Sequence, residues 1–133
     1  MKRKTYIDID TNRLVVIEKN ATSEYWDKKW SEGIVGDPGM RLSKIYPQIT
    51  QKYLNSRTKI LEGGCGLCGK VIALQNAGFD VVGVDYAEET VNRVLEKYPN
   101  LNLEVADVMN LPFLDDSFDG YWSFGVIEHF WSG

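Results

Sequence analysis

The segment Glu62-Gly63-Gly64-Cys65-Gly66-Leu67-Cys68-Gly69 restricts this chain more than any other part of it, because four of its eight residues are glycine. Glycine adopts backbone angles closed to other residues and lets a ligand approach the main chain closely. Before the segment, Lys59 to Glu62 reads as a short strand. After it, Val71, Ile72, Leu74 and Ala77 read as a helix that Gly78 ends. A strand, a glycine loop and a helix in that order open a Rossmann-type unit, where free amides at the helix start can hold a carboxylate or phosphate. A loop that merely makes a tight strand-to-helix turn is the plainer alternative.

The alternation continues. Phe79 to Val84 is a second strand with Asp85 at its end, and Ala87, Val91, Val94, Leu95 and Tyr98 stripe the next helix until Pro99-Asn100 breaks it. Asp85 and Glu88 have capping-box spacing, which predicts that they fix that helix start. Leu101 to Ala106 and Gly120 to Phe124 are a third and a fourth strand. The expected fold is α/β, a Rossmann-like three-layer sandwich with a mostly parallel sheet and its ligands at the C-terminal strand ends. Residues 59–133 are read as the cofactor-binding domain and 1–58 as strands and helices covering its cleft. Within 1–58, Tyr6 to Ile17 predicts a hairpin or a pair of edge strands around Asp10-Thr11-Asn12, and Ser23 to Trp30 an aromatic-bearing helix. Asp37 and Pro38 are expected to start another helix, with Leu42, Ile45, Tyr46, Ile49 and Tyr53 on one face.

Composition narrows the partners. The 133 residues are 44% hydrophobic and 26% charged, as in one globular domain. A net charge of -4 without a Lys/Arg block argues against a nucleic-acid backbone as the main partner. No run approaches about 18 consecutive apolar residues and no signal-peptide core follows Met1, so a cytoplasmic protein without membrane insertion is expected. The Cys65-x-x-Cys68 spacing suits a redox pair or half of a zinc site. With no second cysteine pair and one distant His, no metal is expected, and a disulfide closing so short a loop would constrain little.

Gly64-x-Gly66-x-x-Gly69, with Asp85 about twenty residues on, also fits a dinucleotide fingerprint. Glu62 helps separate the cofactor classes. Its carboxylate would repel a pyrophosphate and attract the ammonium of an amino-acid-bearing ligand such as S-adenosylmethionine, whose carboxylate the loop amides could receive. A solvated strand-end charge is the alternative for Glu62. Asp85 could accept the vicinal hydroxyls of a ribose, cap the helix, or do both. Asp107 could accept the exocyclic amine of adenine, with Val108 or Met109 over the ring, or it organises its own loop.

Four stretches then occur in a telling order: Ile60-Leu61-Glu62-Gly63-Gly64-Cys65-Gly66; Val82-Gly83-Val84-Asp85-Tyr86; Ala106-Asp107-Val108-Met109-Asn110-Leu111-Pro112-Phe113 with Asp115-Asp116-Ser117-Phe118-Asp119; and Val126-Ile127-Glu128-His129-Phe130. Over residues 59 to 133 the chain resembles the class I S-adenosylmethionine-dependent methyltransferases, particularly the small-molecule group that includes quinone-biosynthesis enzymes. The resemblance implies S-adenosyl-L-methionine as cofactor and a small-molecule acceptor that the chain does not identify. It places Glu62, Gly64 and Gly66 around the methionine part and Asp85, with Tyr86 beside it, at the ribose. Asp107, Val108 and Met109 fall at the adenine, and Phe124 and Gly125 near the sulfonium. Tyr25, Trp26 and Trp30 would partly cover the cleft, unless they are plain packing. His129 and Glu128 are candidates for a general base, with structural roles as their alternatives.

One position departs from the family pattern. Cys68 stands where the first motif usually has a further glycine, so a positive backbone angle there would be strained. The family fold continues with three more strands, so the sequence reads as a domain truncated after the fourth core strand and inactive alone. Its unpaired edge at Gly120 to Phe124 would invite self-association, unless residues 6 to 17 or a dimer cover it. An NAD-dependent oxidoreductase fragment and a non-catalytic nucleotide-binding or regulatory protein are the competing readings.

Overall fold

The computed structural model describes residues 4–17, 22–37 and 42–129. In chain order it contains strands β1 (Lys4–Asp8) and β2 (Arg13–Ile17), helices α1 (Ser23–Trp30) and α2 (Leu42–Gln51), then β3 (Lys59–Gly63), α3 (Gly69–Asn76), β4 (Asp80–Asp85), α4 (Glu88–Lys97), β5 (Asn102–Val105) and β6 (Gly120–Ser123). A 3-10 turn follows at Ile127–His129. The last four strands form one sheet in the order β5-β4-β3-β6, with every neighbouring pair parallel. The expected α/β Rossmann-like architecture is the one observed.

Strand parity sorts the core into two faces, as the period of two requires. Ile60 and Val81 face the helices and pack with Tyr46, Val71, Leu74 and Val94. Leu61, Val82 and Val84 face the other way, against Ala106, Val108, Leu111, Phe113 and Phe118. Among the described residues the segment 106–118, rather than a helix, therefore forms the layer on that second face. Burying a side chain such as Leu74, which is fully enclosed, contributes about 1.5–3 kcal/mol. Asp119 sets the start of β6 against β3: its amide donates to the Lys59 carbonyl at 2.8 Å, and its Oδ2 accepts the Lys59 amide at 2.7 Å.

The start of α4 differs from expectation. Ala87 occupies the N-cap position and there is no side-chain cap from Asp85 or Glu88. Asp85 is instead drawn back to the glycine loop. The free amide of Thr90 is taken by Asp27 of α1 at 2.7 Å. In return, the Arg93 guanidinium of α4 donates to the carbonyls of Trp30 and Ser31, at the end of α1. Each helix thus satisfies an end of the other.

The buried face of α2 is also rotated from the expected stripe. Tyr46 and Thr50 are buried, whereas Ile49 is 38% and Tyr53 80% exposed. Thr50 sets this orientation: its hydroxyl donates to the Tyr46 carbonyl at 2.7 Å and accepts the Trp122 indole N–H at 3.1 Å. Ile49 and Tyr53 then line an open groove with Tyr121 of β6. The expected cap at Asp37-Pro38 lies partly outside the described residues, as does the Leu42 side chain.

β1 and β2 form an antiparallel hairpin with Lys4 opposite Ile17 and Asp8 opposite Arg13. Asp8 ties the turn by accepting the Asp10 and Thr11 amides and the Thr11 hydroxyl. The hairpin is a separate two-stranded sheet, so among the described residues it does not pair with the outer edge of β6.

Candidate functional site

Glu62 is the last residue but one of β3, in register with Gly83 on one side and Trp122 on the other. This central position leaves its side chain no exposure to solvent, which overturns the solvated alternative. Lys70 Nζ approaches Oε1 at 2.8 Å, yet neither carboxylate oxygen receives a well-directed hydrogen bond. Burial pushes the carboxyl up to about 7, while the Lys70 charge pulls the other way. Burial pulls the Lys70 ammonium toward its neutral form, but the charge and hydrogen bond of Glu62, with smaller contributions from Tyr46 and Cys65, together hold it above its ordinary value. Lys70 lies in the first turn of α3, where the helix dipole disfavours a cation. Glu62 compensates that cost.

The glycine loop folds back onto β4. The Gly64 and Cys65 amides donate to the Val84 carbonyl at 2.8 and 2.9 Å, the Gly66 amide to Asp85 Oδ2 at 2.7 Å, and the Cys68 amide to the Cys65 carbonyl at 2.9 Å. These amides are therefore committed within the protein, contrary to the expectation that the loop presents them to a ligand carboxylate. Gly64 and Gly66 have φ of 70° and 50°. A Cβ on Gly64 would lie 2.3 Å from Val126, and one on Gly66 would lie 3.1 Å from the Trp30 indole. Cys68 does adopt a positive angle, φ 60°, with its side chain fully buried. Its thiol lies 3.4 Å from that of Cys65, and both cysteines are free. The neighbouring thiol and burial push the Cys65 thiol well up.

Asp85 is 6% exposed and accepts the Ala87 amide through Oδ1 at 3.0 Å, so each carboxylate oxygen already holds one backbone amide. Burial raises its carboxyl, against the pull of those amides. Tyr86 beside it is half-buried, and burial raises its phenol. The Ala106 amide donates to the Asp85 carbonyl at 3.0 Å, so Asp107 leaves the sheet beside Asp85. Asp107 is exposed, and its Oδ1 accepts the Met109 amide at 2.9 Å, which organises its own loop. Val108 packs into the second face of the core, and Met109 is 66% exposed.

Phe124 stands edge-on to Tyr46 at 5.7 Å, with the Lys70 ammonium 5.8 Å from its ring centre. Gly125 follows at φ 73°, and Glu128 and His129 are exposed. The His129 ring meets Trp26 edge-on at 4.9 Å, and Trp26 stacks on Trp30 at 6.1 Å. Tyr25 meets Trp26 edge-on at 5.4 Å. The aromatic stripe of α1 thus runs from the glycine loop to the turn after β6.

The structure brings Glu62, Gly64, Gly66, Asp85 and Tyr86 together around the loop, and joins Phe124 to them through Lys70. Lys70 and Asp27 are the residues that sequence reasoning passed over. A lysine in the first turn of a helix, against the dipole, was a usable signal for the first. Asp27 gave none, because its partner lies 63 residues away.

A methyltransferase domain model matches residues 60–133. A probable S-adenosylmethionine-dependent methyltransferase of Mycolicibacterium smegmatis is 36% identical over 72 residues, covering 54% of this chain and 28% of that protein. The Homo sapiens protein named probable tRNA methyltransferase 9B is 34% identical over 90 residues, covering 66% of this chain and 19% of that one. The crystal structure of a SAM dependent methyltransferase from Aquifex aeolicus shares the fold, with a TM-score of 0.55 at 20% identity over 73% of this chain and 55% of the other. The chain thus spans less than a third of the length of these two curated relatives. S-adenosylmethionine is the cofactor of the family. With more than half of its residues inside the matched domain, the chain belongs to the methyltransferase domain family.

Proposed function

We propose that this chain holds S-adenosylmethionine, and that the protein it forms part of transfers the methyl group to a small-molecule acceptor. The observation that carries this reading is Glu62, a fully buried carboxylate at a strand end beside the glycine loop, with Oε2 unpartnered. A fully buried carboxylate that has one cation beside Oε1 and no well-directed hydrogen bond is costly, and the ammonium of an amino-acid end supplies the missing donors. A nicotinamide cofactor would bring a pyrophosphate to the same charge, so the oxidoreductase reading loses ground.

The other residues fit the group. Gly64 and Gly66 supply the positive backbone angles of the loop that runs from Glu62 back to Asp85. The remaining lone pairs of Asp85 suit ribose hydroxyls, with Tyr86 alongside. The second oxygen of Asp107 suits the adenine amine, with Val108 and Met109 at the ring, and Phe124 and Gly125 border the methionine end. When bound, the cofactor supplies a methyl group on a sulfonium, which is a good leaving group. The protein's own part is alignment and exclusion of water, for which Trp26 and Trp30 provide cover. An acceptor that must lose a proton needs a base, for which His129 and Glu128, exposed after β6, are the candidates.

The net charge of -4 favours a small acceptor over RNA, which is the competing class because one relative is named a tRNA methyltransferase. Among the described residues no helix is long and apolar enough to cross a membrane. Calorimetric titration of the chain with S-adenosylhomocysteine and with NAD tests the reading. Binding of the sulfur nucleotide alone supports it, and binding of NAD alone overturns it.

A further inference from the structure

We propose that Lys70 takes the carboxylate of the ligand's amino-acid end, so that Glu62 and Lys70 together form a receptor for a zwitterion rather than for a cation. This rests on the reading of the site as an S-adenosylmethionine site and goes beyond it.

Three observations lead there. First, Glu62 has no solvent exposure and its described partner is the Lys70 ammonium at 2.8 Å. A ligand ammonium that reaches Oε2 shares the single Glu62 charge with Lys70. Second, the Lys70 side chain is only 20% exposed and its ammonium also lies 5.8 Å from the Phe124 ring centre, at the methionine end of the site. An ammonium held there and sharing its carboxylate with a second cation needs another anion. Third, the amides of Gly64, Cys65, Gly66 and Cys68 are spent on Val84, Asp85 and Cys65, so they do not await a ligand carboxylate.

The charges then alternate. The empty pair is neutral. Inserting a zwitterion gives Glu62 carboxylate, ligand ammonium, ligand carboxylate and Lys70 ammonium, which is again neutral and has every charge beside its opposite. Inserting an amine without the carboxylate leaves two positive charges on one buried carboxylate. Selectivity for the complete amino-acid end follows from that difference.

The test compares three ligands by calorimetry at pH 8 with the whole chain. S-adenosylhomocysteine has the zwitterion, S-adenosyl-3-thiopropylamine keeps only the ammonium, and 5′-methylthioadenosine has neither. The wild type is expected to bind S-adenosylhomocysteine at least tenfold more tightly than the thiopropylamine. Lys70→Met is expected to abolish that preference while leaving methylthioadenosine binding unchanged, and Lys70→Arg to keep it. Equal wild-type affinity for the first two ligands overturns the role of Lys70, and needs no variant to fold. So does a Lys70→Met protein that keeps the preference. If the wild type binds none of the three, the cofactor reading itself falls and this inference with it.

Discussion

Asp27 of α1 accepts both the backbone amide and the hydroxyl of Thr90 in α4, each at 2.7 Å and across 63 residues of sequence. One carboxylate oxygen thereby does the work of an N-cap for a helix that lacks a local one. Because Arg93 closes the end of α1 in exchange, the two helices hold each other and keep Trp30 over Gly66.

Asp27→Ala should therefore lower unfolding stability by about 1–2 kcal/mol, the upper part of the range for a lost cap. Thr90→Val, which keeps the capped amide and loses only the hydroxyl bond, should cost less. Urea denaturation followed by tryptophan fluorescence measures both, and an Asp27→Ala midpoint equal to wild type would remove the cap from the argument.

Glu62 makes stability depend on pH in a direction opposite to that of an exposed salt bridge. Its folded carboxyl titrates at about 7, above the ordinary value of 4.5. The stability tied to its neutral form is complete below pH 4.5 and is lost as pH rises to about 7, by up to roughly 3 kcal/mol. Glu62→Gln should flatten that decline. Asp85, also raised by burial, acts with the same sign. Denaturant titrations at pH 5 and pH 8 give the comparison, and equal slopes in the two proteins would contradict it. Ligand binding should respond inversely, because the ammonium needs the ionised carboxylate: affinity for S-adenosylhomocysteine should rise through pH 7.

Asp85→Asn separates two kinds of contact. An amide side chain presents one acceptor to the two backbone amides of Gly66 and Ala87, so one of them loses its partner and the loop loosens. Nucleotide affinity should fall by roughly 1–3 kcal/mol. The loss should extend to 5′-methylthioadenosine, which has a ribose but no amino-acid end, whereas Glu62→Gln should spare that ligand. Calorimetry with both nucleotides distinguishes the two variants.

Cys68 invites a rank-order test. Its φ of 60° is a conformation that costs a non-glycine residue on the order of 1–3 kcal/mol. Cys68→Gly should be at least as stable as wild type, since relief of the backbone offsets the lost packing of the thiol. Cys68→Val, branched at Cβ and confined to the same angle, should lose about 2 kcal/mol or more. Thermal melts would refute the account if valine proved as stable as glycine.

The sheet, its helices and the position of Glu62 were legible because their signals are local: apolar runs, a glycine loop, and breaks at Gly78 and Pro99. The face that α2 buries was not. Apolar residues at spacings of three and four mark a stripe, but the Trp122 indole decides which part of it meets the sheet, and Trp122 lies 72 residues beyond Thr50. The start of α4 misled in another way. Asp85 and Glu88 have the right spacing for a capping box, yet Asp85 gains two amides by turning toward Gly66 and Ala87. Pairings such as Asp27 with Thr90 leave no periodic trace, so only the folded chain shows them.

The placement of β6 against β3 has a consequence in time. β3 is an inner strand, and Ile60 finds its partner on that side only at Gly120. Lys59 and Asp119, which align the two strands, are 60 residues apart. At a synthesis rate of roughly 5–20 residues per second, the ribosome takes about 3–12 s to travel from one to the other. Throughout that interval an apolar inner strand presents an open edge to every neighbouring nascent chain. Slowing elongation lengthens the exposure, so the yield of soluble protein should depend on the codons between residues 60 and 120 as well as on the amino acids they encode.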